Sequence, residues 1–100
     1  MITKNRAIHI AHLVVTEISL HFPGSLILLE SYTEEHDFGW IFYYNTPEFV
    51  KTGISEIAGN APFIITKDKG QIYITGTAGT TESYIEKFKQ GILEPYVLKK

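Results

Sequence analysis

The sequence predicts an α+β domain of two layers: a four-stranded antiparallel sheet with a long N-terminal helix packed on one face, and a C-terminal helix. Three observations carry this. Apolar residues between positions 4 and 21 recur with the 3.6-residue period of a helix that buries one stripe. Positions 39–45 and 63–75 hold runs of β-branched and aromatic residues with a period of two, broken by short polar turns. Finally, Thr-initiated segments ending in glycine follow each strand pair, as capped helices do.

Taken in order, the first helix runs from about Lys4 to His21, with Thr3 able to cap it and Pro23-Gly24 to end it. Ala7, Ala11, Val14 and Ile18, flanked by Ile8, Val15 and Phe22, form its apolar stripe. Ser25 to Thr33 reads as the first strand, and Thr33-Glu34-Glu35-His36-Asp37 as a polar loop with an acidic tip. Gly39-Trp40-Ile41-Phe42-Tyr43-Tyr44-Asn45 is the central strand. Its large side chains fall on both faces, so each face needs a cover or a partner. Thr46-Pro47-Glu48 opens a short helix that ends near Gly53. Phe63–Thr66 and Gln71–Thr75 form a second hairpin around Lys67-Asp68-Lys69-Gly70. Thr80 or Thr81 caps a last helix, about Glu82 to Gln90, stopped by Gly91. The tail from Glu94 onward has no usable period, and the C-terminal helix leaves open whether the second sheet face is bare or covered.

One hundred residues make one domain, residues 1–100, with no room for a second core. A composition 44% hydrophobic and 20% charged is that of a folded protein, not a disordered chain. The lack of cysteine removes disulfides, thiolate metal sites and cysteine nucleophiles, and it suits a reducing cytosol. No apolar run is long enough to span a bilayer and the N-terminus lacks a signal-peptide core, so a cytoplasmic, unprocessed protein without membrane contact is expected. Residues 1–50 set two basic side chains against six acidic ones, whereas residues 51–100 set seven lysines against five acids. No basic stripe of the nucleic-acid-binding kind exists, and a basic partner fits the acidic half.

Candidate chemistry is sparse. His9 and His12 share a helix face, but no HExxH pattern accompanies them, and solvent-facing histidines explain the spacing. Gly76-Thr77-Ala78-Gly79 before a helix lacks the lysine of a phosphate loop, so it reads as a capped turn. No serine has a nucleophile-elbow context. Glu34, Glu35 and Asp37 stand on an exposed segment, where a carboxyl pKa shifts too little for acid/base work. Neither cofactor nor metal nor catalytic residue is indicated. What remains is electrostatic contact with a basic partner through the three acids, and the Tyr and Trp side chains that interfaces enrich.

The ordered set Gly39-Trp40-Ile41-Phe42-Tyr43-Tyr44-Asn45, Ala58-Gly59-Asn60-Ala61-Pro62-Phe63-Ile64-Ile65, Lys67-Asp68-Lys69-Gly70, Thr75-Gly76-Thr77-Ala78 and Glu82-Ser83-Tyr84-Ile85 resembles the YrhB-like family, immunity protein family 35. The resemblance extends from about Arg6 to Gln90. It implies a small bacterial α+β protein of polymorphic toxin systems, encoded beside a toxin and protecting the producing cell by binding it without catalysis. Some relatives are linked to a chaperone-like role, which here would use an aromatic sheet surface. The positions that match the pattern, Gly39, Trp40, Phe42, Gly59, Pro62, Gly76 and Thr77, are expected to determine the fold. The expected partner contacts are Glu34, Glu35 and Asp37, with Tyr32 and Tyr44 beside them.

Overall fold

The structure, a computed structural model, describes residues 1–21, 25–53, 61–76 and 79–98. Helix α1 spans Lys4–Ser19, and the Thr3 hydroxyl accepts a hydrogen bond from the Arg6 N–H at 3.1 Å. The cap satisfies an amide left free by the first turn. The expected stop at Pro23-Gly24 lies outside the described residues. Ala7, Ile10, Ala11, Val14 and Val15 are buried, as the helical period demands.

Strands β1 (Ile27–Leu28) and β4 (Tyr44–Asn45) form a short antiparallel ladder of their own. The main sheet is antiparallel in the order β2-β3-β5-β6, from Glu34–His36, Gly39–Phe42, Phe63–Thr66 and Ile72–Ile74. Register fixes which residues share a face, because side chains alternate along each strand. Trp40 pairs with Ile65 and Phe42 with Phe63, and on the far side Ile65 pairs with Ile72 and Phe63 with Ile74. This face meets α1 in the hydrophobic core. The opposite face carries the row Ile41, Ile64 and Tyr73.

Helix α3 (Thr81–Lys89), with the Thr80 hydroxyl accepting from the Ser83 N–H, covers that second face. Its Phe88 ring lies 5.0 Å from both Phe38 and Tyr73, and Ile41 and Ile64 are fully buried. Helix α2 (Pro47–Thr52) starts at the Thr46 cap and ends at Gly53 in the left-handed region, φ 76°. The β5–β6 turn closes through Gly70, also left-handed, whose N–H donates to Thr66.

Three expectations change. The long first strand is short: after Leu29, whose N–H donates to the Tyr43 carbonyl, residues Glu30–Tyr32 form a 3₁₀ turn. The segment read as a polar loop is largely strand, since Glu34 and Glu35 sit in β2 opposite Ile41 and Trp40, and only Asp37 and Phe38 make the turn. An edge strand needs only its main chain to pair, so it can carry acids and show no apolar alternation. The central strand also breaks at Tyr43, where the chain passes from one ladder to the other.

The Tyr96 N–H donates to the Ile72 carbonyl at 2.6 Å, extending the sheet by one bridge at its β6 edge. Both Tyr96 and Leu98 pack on the core.

Candidate interaction surface

Alternation along β2 separates the acidic residues. Glu34 points to the α3 side, where its carboxylate accepts from the Tyr43 hydroxyl at 3.1 Å and meets His36 Nε2 at 3.3 Å. Burial first, then the carboxylate, pushes the Tyr43 phenol above its usual pKa. Glu35 points to the α1 side and pairs with Lys67 at 2.9 Å. The hydrogen bond and charge of Lys67 hold the Glu35 carboxyl below the usual carboxylate range, with smaller help from Lys4 and the Trp40 indole against a small desolvation effect. Asp37 is exposed in the turn and makes no hydrogen bond or ion pair among the described residues.

Aromatic contacts stiffen both ends of this edge. His36 stacks on Phe38 with ring centres 5.1 Å apart, and Phe38 in turn rests on Phe88. The Phe38 carbonyl accepts from the Lys67 N–H at 2.9 Å, tying the turn to the end of β5. At the other end Tyr32 is 54% exposed and meets the Phe49 ring edge-on at 6.3 Å, with exposed Val50 beside Phe49 in α2. Tyr32, Glu34, Glu35 and Asp37 therefore lie along one margin of the molecule.

Tyr44 is different. It is 5% exposed in the core, its ring 6.2 Å from Phe63, and burial raises its pKa. It offers no surface to a partner, because β4 turns its side chain inward against β5. Among the described residues both faces of the main sheet are covered, so the aromatic sheet surface expected for a chaperone-like role is not exposed there.

The matched motif positions have geometric explanations. A Cβ on Gly39 would stand 2.1 Å from the Ile65 carbonyl oxygen, so β3 and β5 approach too closely there for any side chain. Trp40 and Phe42 fill the core. The Pro62 carbonyl accepts both the N–H and the hydroxyl of Thr75, at 3.1 and 2.6 Å. Gly76 leaves room for the Tyr84 hydroxyl, which a Cβ would meet at 2.5 Å. Gly59 and Thr77 lie outside the described residues.

The family model of immunity protein 35 matches residues 6–91. The chain belongs to the immunity protein 35 family. Within this family setting, the uncharacterized protein YrhB of Escherichia coli K12 is 45% identical over 53 residues, a match covering 51% of this chain and 56% of that protein. No solved structure matches the chain. The matched range includes the stretch from Arg6 to Gln90 over which the ordered motifs lie. No helix among the described residues is long and apolar enough to cross a membrane.

Sequence reasoning missed three partners at this surface: Tyr43 beneath Glu34, Lys67 beside Glu35, and Phe38 as the stacking floor for His36. Each partner stands just outside a strand, in the β2–β3 turn, at the break after β3 or after β5, and its place depends on β2, which was hidden in an apparently polar loop.

Proposed function

We propose that this protein neutralises a cognate bacterial toxin in the cytoplasm of the producing cell by binding it, with no chemical step of its own. The contact is the margin formed by Glu34, Glu35, Asp37 and Tyr32. The observation that supports this reading most strongly is the continuity of three exposed carboxylates with an exposed tyrosine on a rigid strand-and-turn frame. A tyrosine gives an interface an apolar body with a polar tip, and surrounding charge steers association. The partner's matching surface is basic, as on a protein that handles nucleic acid or another polyanion.

The family membership supports an immunity role, and the cognate toxin is expected to be encoded beside the gene. Kinetics with that purified toxin test the reading. Glu34→Lys, Glu35→Lys and Asp37→Lys together should slow association and flatten its dependence on salt, while Tyr32→Ala should speed dissociation. Unchanged association of the charge-reversed variant together with unchanged dissociation of Tyr32→Ala removes this margin as the contact.

A further inference from the structure

The two edges of the main sheet are finished differently. At β6 the tail closes the edge through the Tyr96–Ile72 bridge. At β2 no strand pairs with the outer side among the described residues, and Glu34 and Glu35 are exposed. An edge of this kind presents main-chain N–H and C=O groups that one more strand can use. Thr33 Oγ1, a buried side-chain oxygen without a hydrogen-bond partner among the described residues, belongs to the residue before β2.

Building on the immunity reading above, we propose that the partner engages by strand addition: an extended basic segment of the toxin lies along β2 and becomes a fifth strand of the sheet. Charge selects this occupant. Because Glu34 and Glu35 point to opposite faces, a strand with a lysine or arginine on each face meets one carboxylate on each side, and Asp37 extends the match at the turn. A second copy of this chain is the poorer fit. Antiparallel self-pairing that uses all three residues of β2 sets Glu35 directly against its own copy, and like charges in that position repel. With only three residues in β2, the ladder supplies direction and register, while side chains on both faces supply specificity.

The test uses the intact protein and a blocked peptide that repeats Lys-Lys-Val-Val, which as a strand sets lysines on both faces. A companion peptide has the same side chains but is N-methylated at pairs of adjacent residues, keeping its charge and losing donors on both edges. The parent peptide should shift the amide resonances of Glu34–His36 and slow hydrogen exchange at those whose N–H points away from β3, and methylation should weaken binding by about tenfold or more. Equal binding of the two peptides overturns strand addition and leaves a purely electrostatic contact. Slow exchange at the outward-facing amides of β2 in a protein that sediments as a dimer without peptide also overturns it, in favour of a second copy. If the methylation contrast holds while charge reversal leaves toxin binding unchanged, the strand site stands and the immunity contact does not.

Discussion

The Tyr96 hydroxyl in the tail donates a hydrogen bond to the Glu17 carboxylate in α1, linking residues 79 positions apart. The same residue's main chain is bridged to Ile72, so Tyr96 fastens the tail to both the sheet edge and the helix. The Glu17 hydrogen bond, then burial, raises the Tyr96 pKa to about 12. A phenol whose folded pKa lies above the unfolded value of 10.0 contributes stability that is complete below pH 10.0 and lost as pH rises toward about 12. Tyr96→Phe should therefore cost about 1 kcal/mol at neutral pH and make the alkaline loss of stability between those values shallower. Denaturant melts across that pH range measure it, and equal slopes for both proteins would remove the link.

Gly39→Ala should destabilise the fold by about 1 to 3 kcal/mol, at the upper end because the obstacle is the Ile65 backbone rather than a flexible side chain. A urea midpoint unchanged from the parent protein would contradict the close approach of β3 and β5.

Phe42→Ala and Tyr32→Ala should separate folding from binding. Phe42 is fully buried, and its truncation should cost about 3 to 5 kcal/mol. Tyr32 is exposed, and its truncation should change stability by no more than about 0.5 kcal/mol. Thermal melts alongside toxin binding distinguish the two, since Tyr32→Ala is expected to bind weakly while folding normally.

Lys67→Met should let the Glu35 pKa climb back toward its ordinary value of 4.5. A depressed carboxyl pKa contributes stability above that value and loses it as pH falls through the folded pKa, so the variant should be less sensitive to mild acid. Side-chain NMR titration of Glu35 reads the shift, and an unmoved pKa would mean that Lys67 is not its main cause.

Much of the fold is legible in the sequence because the signals are local. Thr3, Thr46 and Thr80 cap their helices with their own hydroxyls, and Gly53, Gly70 and Gly91 adopt left-handed backbone where the chain must stop or turn. The aromatic run at 39–42 and the hairpin around Gly70 also stand where period and turn chemistry place them. The edge strand is a different case. Glu34–His36 pairs through main-chain groups, which all residues share, so its side chains report solvent exposure rather than pairing. Tyr44, expected among the partner contacts, is buried with Trp40 and Phe42, on the face where alternation along the strand puts it, and the change of ladder at Tyr43 leaves that face unchanged. The cover supplied by α3 depends on where Phe88 lands between Phe38 and Tyr73, a long-range relation that a helical period does not encode.

Trp40 is the only tryptophan in the chain, and it lies opposite Glu35 with the Lys67 ammonium 5.6 Å from its ring centre. A cation held over an indole shifts the energy of its excited state, so intrinsic fluorescence is a label already built into the acidic margin. Anything that draws Lys67 away from Glu35, whether a bound strand, a competing charge or protonation of the carboxylate, changes the emission of this one residue without chemical modification of the protein.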